Sequence, residues 1–200
     1  MEQKYNSSTL NAELMRLKEF CKQEGEVVTY LKDEKFECEE TPAQWFAYVE
    51  RGCFKYVTRG ISDNKKHITW FSFEGEFVAD YPRFLYGHSA QSTIQAMMPS
   101  RVYRLSGKRL RQFFSQSIES MEMRAIIAEH ILCQFHERYL DLHCATPRER
   151  YDMLMQRCPG IANVLPQYAI ASFLNITPQM LSRIRKEISL NGNKLVINHI

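Results

Sequence analysis

The residues best suited to chemistry lie near the C-terminus, where polar and basic side chains alternate with apolar ones at helical spacing. Between residues 178 and 188 the apolar positions are Met180, Leu181, Ile184 and Ile188. This spacing leaves five polar or basic side chains more exposed: Gln179, Ser182, Arg183, Arg185 and Lys186. Gln makes paired hydrogen bonds to adenine and Arg to guanine in the major groove of DNA. The segment therefore predicts a helix with one face suited to contact DNA bases.

The residues before this helix predict a partner helix and a tight turn, which together form a helix-turn-helix. Pro166 is suited to be the first residue of a helix, and apolar residues follow at helical spacing: Ala169, Ile170, Phe173 and Leu174. Asn175 lies where the chain must turn, and Asn tolerates a left-handed backbone. Thr177 and Pro178 provide an N-cap and a first helical residue. The alternative interpretation is an ordinary helical hairpin with a solvated basic face.

The composition indicates a globular chain that can form a sizeable core. It has 200 residues, of which 44% are hydrophobic and 24% charged. The net charge is only +3, but residues 147–200 hold seven basic and three acidic side chains. The excess of positive charge thus lies in the segment that would contact DNA phosphates. No apolar run approaches the ~18 residues of a membrane span, and the N-terminus has no signal-peptide core. We expect a cytoplasmic protein without a membrane partner.

No residues are grouped in the sequence as metal or cofactor ligands. The cysteines are scattered and form no C-x-x-C pair: Cys21, Cys38, Cys53, Cys133, Cys144 and Cys158. Reduced, mostly packed thiols are expected, with a redox switch at Cys21, Cys38 or Cys53 left open. No Ser/His/Asp set and no phosphate-cradling Gly-rich loop is present. The sequence therefore predicts no enzyme, no metal and no resident cofactor.

Short strands between two helical regions predict a small β-barrel or jelly roll. A helix is expected at residues 8–24 and ends before Gly25. Strands are expected at residues 26–31, 45–50, 53–58, 67–73, 92–97 and 101–105. Arg51 and Gly52 are expected to form a hairpin turn between the second and third of these strands.

A long helix without Pro or Gly is expected from Ser117 to about Leu142. Four apolar residues recur along it at every fourth position: Ile127, Ile131, Phe135 and Tyr139. A second apolar ridge widens this stripe, so the helix is expected to contact both its own barrel and a partner subunit. The alternative is a helix that packs only on its own barrel.

Further helices are expected at residues 108–114, and from Pro147 to about Gln156 after the Thr146 cap. At the C-terminus, Asn191 and Gly192 predict a turn, and residues 194–197 a short strand that would be the remnant of a wing.

This order of elements resembles the Crp/Fnr family of bacterial transcription regulators. The resemblance extends from about Cys21 to Ile197 and is most specific in residues 48–54 (YVERGCF) and 170–184 (IASFLNITPQMLSRI). It implies an α+β chain with a cyclic-nucleotide-binding-like sensory β-barrel (1–116), a dimerisation helix (117–144) and a C-terminal winged helix-turn-helix domain (145–200). It also implies a homodimer that binds palindromic double-stranded DNA, with RNA polymerase as a candidate further partner.

The resemblance assigns the DNA-binding residues by position. Pro178 and Gln179 match the first two base-facing positions, and Ser182 and Arg183 match the family's Ser-Arg pair. Arg183 is expected to recognise guanine and Gln179 adenine. The remaining members of the predicted DNA-binding set are Gln167, Thr177, Arg185 and Lys186, of which Gln167, Arg185 and Lys186 are better placed for phosphate contact.

The barrel departs from the cyclic-nucleotide-binding members of the family. Those members carry a glutamate for the ribose hydroxyl, which Asp80 could replace, and an arginine for the cyclic phosphate, where this chain has Ala90. A buried phosphate without a cation is strongly disfavoured. Cyclic AMP is therefore not expected, and the barrel takes another small-molecule effector or none. The candidate effector residues are Asp80, Tyr81, Arg83, His88, Gln91 and Ser92.

Two other classes of protein are compatible with a barrel followed by helices. A cupin-like jelly-roll metalloenzyme needs an H-x-H motif with further ligands, whereas the barrel region has only His67 and His88. A barrel interaction module without DNA binding would not need the basic face around Arg183. Both are weaker interpretations than a regulator.

Overall fold

The computed structural model describes residues 7–62 and 64–197, with side chains for residues 10–62 and 64–190. The chain forms two compact units, Met1–Phe135 and His136–Ile200, and their boundary lies within the long helix α4 (Ile118–Cys144). The three-part division expected from the sequence stays a prediction. Within the described residues, no helix combines the length and apolar character needed to cross a membrane.

The first unit is built on two four-stranded antiparallel sheets. One sheet has the order β1 (Glu26–Tyr30), β8 (Ser100–Ser106), β3 (Trp45–Arg51) and β6 (Phe77–Ala79). The other has the order β2 (Lys35–Glu37), β7 (Thr93–Ala96), β4 (Cys53–Arg59) and β5 (Lys66–Phe73). The six strands expected from the sequence are all present, with ends that differ by at most one residue.

The apolar faces of these strands form a core rich in aromatic rings. The ring of Phe54 packs edge-on against Tyr30 and Phe36, with centroid distances of 5.6 and 5.9 Å. Val49, Val78 and Ile94 join the same fully buried cluster. Edge-to-face pairs add to the stability that burial alone provides, so this core holds the strands that carry the effector region.

The turn at Arg51 and Gly52 is not a hairpin, which corrects the sequence prediction. β3 pairs with β6 and β8, whereas β4 pairs with β5 and β7, so the chain passes from one sheet to the other at Gly52. Gly52 has φ +107°, and a Cβ atom there would lie 2.2 Å from Ser100 Oγ. Only glycine fits this close crossing.

Four short elements were not expected from the sequence. They are β2, β6, α2 (Arg83–Tyr86) and α6 (Ile161–Val164), each of three or four residues. Elements this short contain fewer than two periods of side chains, so no hydrophobic pattern repeats often enough to indicate them. α2 matters for function because it lies within the candidate effector region.

Three helices cover the sheets of the first unit and share one core. They are α1 (Ser7–Glu24), α3 (Gly107–Phe114) and the first part of α4. Leu17 of α1, Leu110 of α3 and Met123 of α4 are fully buried in this core together with Phe84. The packing fixes which side of α4 faces the sheets.

The second unit contains the two helices and the tight turn expected from the sequence. α5 (Pro147–Arg157) begins with a capping box made by Thr146 and Glu149. α7 (Gln167–Phe173) and α8 (Pro178–Ile197) follow, with Pro166 as the N-cap of α7 rather than its first residue. Asn175 turns the chain between them with φ +53°, as expected.

The predicted C-terminal turn and strand are wrong, because α8 continues without interruption to Ile197. Asn191 and Gly192 are helical residues. Glycine in a helix costs only about 1 kcal/mol relative to alanine, so an Asn-Gly pair does not by itself end a helix that already extends from Pro178. Residues 194–197, where the wing strand was expected, therefore form the last turn of α8.

Candidate nucleic-acid interface and effector region

α8 exposes the polar side chains that the sequence predicted to contact DNA. Gln179, Ser182, Arg183 and Lys186 are all exposed and spaced i, i+3, i+4 and i+7, so they share one face. Leu181 and Ile184 are buried on the opposite face. The start of the helix is fixed because Thr177 Oγ1 accepts a hydrogen bond from Met180 N at 3.1 Å.

Met180 and Arg185 are placed differently from the sequence prediction, and Gln167 makes a contact that the sequence did not indicate. Met180 is exposed instead of buried. Gln167 Nε2 donates to the carbonyl of Pro178 at 3.3 Å, so this amide helps to hold the first turn of α8. Arg185 is half-buried, and its Nη2 is buried without a hydrogen-bond partner. The exposed face thus consists mainly of Gln179, Ser182, Arg183 and Lys186.

Arg138 of α4 contacts the end of α7 and was not singled out from the sequence. Its guanidinium carbon lies 3.9 Å from the centroid of the Phe173 ring, and Nη2 donates to the Phe173 carbonyl. Burial lowers the pKa of Arg138 to about 10, and the neighbouring cations Arg150 and Arg157 act in the same direction. The contact joins α4 to the helix end that leads into the turn at Asn175. No pattern in the sequence indicates it, because the partners are 35 residues apart.

Replacing Arg138 with methionine should loosen the turn between α7 and α8. The change keeps an apolar stem but removes the charged hydrogen bond and the cation–π contact, so we expect a loss of about 2 kcal/mol in stability. Hydrogen exchange at Leu174 and Asn175 should become faster. Arg148→Met is the matched control, because Arg148 forms a surface ion pair with Asp152 on α5. Unchanged exchange in Arg138→Met would contradict this role.

Asp80 and the residues that open β7 form the centre of the candidate effector region. Asp80 Oδ2 accepts hydrogen bonds from Gln91 N at 2.6 Å and from Ser92 N at 3.1 Å, and Asp80 is buried. Burial raises the pKa of the Asp80 carboxyl, whereas the two amide bonds and nearby Arg83 lower it. Thr58 Oγ1 lies 2.9 Å from Ser92 Oγ. The structure thus brings Asp80, Gln91 and Ser92 together.

The other candidate effector residues lie around this centre without converging on it. Arg83 Nη1 donates to the carbonyl of Ser89 at 3.0 Å, and exposed His88 lies beside the ring of Tyr86. Tyr81 is half-buried, and its ring packs against Phe84. Ala90, which the resemblance aligns with a phosphate-binding arginine, is buried. Arg83 and His88 thus contact Ser89 and Tyr86, and not the backbone amides of Gln91 and Ser92.

α4 carries two apolar faces with different surroundings. Ile127 is only 7% exposed and belongs to the core of the first unit, and Ile131 is partly buried against the same core. These two predicted dimer residues are therefore placed against the chain's own barrel. Phe135 and Tyr139 are exposed, and Phe135 lies beside the ring of Trp70.

The exposed side of α4 shows a regular pattern of apolar residues. Steps of three and four residues alternate along Ile118, Met121, Ala125, Ala128, Leu132, Phe135 and Tyr139, a set we call the α4 seam. Six of these seven residues are exposed, and Leu132 is 69% exposed. Alternation of three and four residues is the heptad spacing of two-stranded coiled coils.

The cysteines do not form a common site. Cys21 and Cys53 are buried, and burial raises the pKa of the Cys21 thiol to about 12, which disfavours the reactive thiolate. Cys133 and Cys144 on α4 are exposed. Among the described residues, no three His, Cys, Asp or Glu side chains are grouped so that they could hold a metal ion.

Comparison with known proteins defines the first unit. Residues 27–117 match the cyclic nucleotide-binding domain family. This range contains all eight strands except the first residue of β1, together with α2 and α3. This part of the chain is therefore similar to a cyclic nucleotide-binding domain. No curated protein matches the chain.

Solved structures extend the likeness to most of the chain. FixK2 from Bradyrhizobium japonicum is 21% identical, with a TM-score of 0.72 over 84% of this chain and 86% of that chain. The c-di-GMP-responsive global regulator CLP from Xanthomonas campestris is 15% identical, with a TM-score of 0.65 over 90% and 93%. TTHB099, a CRP-family transcriptional regulator from Thermus thermophilus, is 14% identical, with a TM-score of 0.62 over 82% and 85%. The resemblance to Crp/Fnr regulators is thus confirmed for the fold.

Proposed function

We propose that this chain is a DNA-binding transcription regulator of the Crp/Fnr type and not an enzyme. The observation that supports it best is the exposed row Gln179, Ser182, Arg183 and Lys186 on a helix whose other face is buried. In this proposal Arg183 recognises guanine, Gln179 recognises adenine and Lys186 contacts phosphate. The protein acts in the cytoplasm, with RNA polymerase as a further partner. The solved structures of similar fold include transcription regulators.

The proposed regulator is a homodimer that forms through the α4 seam. Large exposed apolar side chains such as Leu132 and Phe135 are unfavourable in water unless a partner covers them. A second copy of the same helix supplies the matching heptad pattern in parallel orientation. The dimer predicts a palindromic operator, because two-fold symmetry of the protein is mirrored in its DNA site.

The barrel in this proposal takes no cyclic AMP. Ala90 provides no cation, and the amides of Gln91 and Ser92 already donate to Asp80. A buried phosphate would then lack both a counter-charge and these donors. The effector is either a different small molecule or absent.

Binding selection from a random pool of double-stranded DNA, at two salt concentrations, tests the proposal. The expected result is an enriched palindrome whose half-sites are about one helical turn apart. Affinity should fall steeply with salt, because phosphate contacts release counterions. The selection is carried out first without an added effector and then with candidate small molecules, because the barrel of the proposed regulator takes either a small-molecule effector or none.

Failure to enrich any sequence, with a folded dimeric protein, would count against the proposed function. Binding that is strong but independent of sequence would retain DNA as the partner and remove operator recognition. Enrichment of a single unpaired half-site would retain α8 as the reading element and remove the homodimer.

A further inference from the structure

The two residues just before β7 present consecutive backbone N–H groups to a single oxygen atom. Gln91 N and Ser92 N both donate to Asp80 Oδ2, at 2.6 and 3.1 Å. Successive amides that converge on one point form an anion-binding concavity. We call these two amides the anion seat; it is filled by a side chain of the same domain, eleven and twelve residues earlier in the chain.

The surroundings of the anion seat hold this arrangement in place. Asp80 is buried and directly follows β6, which pairs with β3. The backbone N–H of Ala79 donates to the Tyr56 hydroxyl at 3.2 Å, and that hydroxyl also lies 3.1 Å from Ser72 Oγ. Thr58 and Ser92 pair through their hydroxyls on the other side. Asp80 is therefore held next to a strand that is hydrogen-bonded into the sheet.

We propose that Asp80 is a built-in anionic ligand of the barrel, whose carboxylate occupies the anion seat and excludes phosphate and carboxylate groups of outside molecules from it. The tethered carboxylate has a far higher local concentration than any free anion. A second anion beside it would also meet electrostatic repulsion in a poorly solvated site. Asp80 is thus the residue that determines which ligands the barrel rejects.

The consequence for regulation rests on the proposed function. In a barrel that carries its own anion, Asp80 holds the backbone of Gln91 and Ser92 in one arrangement without an effector. DNA binding by the wild-type protein is then expected without phosphorylated or carboxylate small molecules. The occupancy of the anion seat itself does not depend on DNA binding.

Amide chemical shifts of the full chain test the proposal, with sodium formate as the probe because formate has the chemistry of the missing side chain. In wild-type protein at neutral pH, neither formate nor inorganic phosphate should move the Gln91 and Ser92 resonances. In Asp80→Ala, formate should move both resonances in a saturable way. In Asp80→Asn the neutral side-chain oxygen still fills the anion seat, so formate should not move the Gln91 and Ser92 resonances. Glu74→Ala removes an exposed carboxylate from the barrel and should behave like wild type.

Two results would overturn the proposal. One is a saturable response of these amides to formate or phosphate in wild-type protein. The other is a folded Asp80→Ala variant whose Gln91 and Ser92 resonances ignore formate.

A further measurement on wild-type protein applies even if Asp80→Ala does not fold. The Gln91 and Ser92 amide protons should titrate with the same midpoint as the Asp80 carboxyl carbon, and separate midpoints would overturn the assignment. These signals need no DNA, so a failed DNA selection would reject the proposed function and leave the anion seat standing.

Discussion

Arg183→Ala is expected to remove the preference for guanine at one position of each operator half-site. Arg183 is exposed at the centre of the polar face of α8, between Gln179 and Lys186. Loss of a paired hydrogen bond to a base costs about 1–3 kcal/mol, which corresponds to roughly 5- to 150-fold in affinity. The affinity for non-specific DNA should change much less. Titration of the selected operator and of its single-base variants measures both effects.

Lys186→Ala is the matched control on the same helix face. Removal of a phosphate contact should weaken binding to all sequences alike and lower the slope of affinity against salt by about one ion. If Arg183→Ala instead weakens all sequences equally, Arg183 contacts phosphate and a different side chain specifies the base. If neither variant changes DNA binding, α8 is not the reading helix.

Leu132→Asp is expected to convert the dimer into monomers that remain folded. Leu132 lies in the middle of the α4 seam and is 69% exposed in the single chain, so the change leaves the barrel core intact. In a parallel pair of helices the two aspartates would face each other without a counter-charge, at a cost of about 3 kcal/mol or more. This corresponds to a rise in the dimer dissociation constant of at least roughly a hundredfold. Light scattering over a concentration series measures it.

Cys133→Asp places the same charge one residue further along α4, outside the seam, and should leave the dimer intact. Ile131→Asp is a poor test of dimerisation, because Ile131 packs against the core of the first unit. That variant should lose stability rather than dissociate cleanly. A persistent Leu132→Asp dimer would place the interface elsewhere.

The sequence predicted those parts of the fold that depend on local signals. The Thr177 cap, the turn at Asn175 and the periodic apolar residues define the two C-terminal helices within a few neighbouring positions, so they could be located without knowledge of the rest of the chain. The prediction of a wing was wrong because it, too, depended on a local signal. Asn191 and Gly192 are a local turn signal, and the helix from Pro178 continued through it.

The features of the fold that could not be predicted from the sequence depend on contacts between distant residues. Residues 45–58 look like a hairpin, and only the pairing of β3 with β8 and of β4 with β7 shows that the chain changes sheets at Gly52. Similarly, Ile127 and Leu132 are both aliphatic residues of one helix. Which of them faces the barrel depends on how α4 packs on the sheets, and periodicity alone cannot decide between two apolar sides.

The candidate site shows the same limit. The resemblance was enough to name Asp80 and Gln91 as candidate effector residues. The hydrogen bond between them forms only because folding brings the end of β6 close to the residues that precede β7. The contact of Arg138 with Phe173 joins residues that are 35 positions apart, and no pattern in the sequence predicts it.

The exposed thiols of α4 make self-association visible in the unaltered protein. Cys133 directly follows Leu132 of the α4 seam, whereas Cys21 and Cys53 are enclosed in the barrel. A maleimide dye should therefore react with Cys133 and Cys144 before it reaches the enclosed sulfurs. Identical dyes brought together by two copies of α4 would quench one another, and dilution would restore their fluorescence. The wild-type chain thus carries its own optical reporter of assembly.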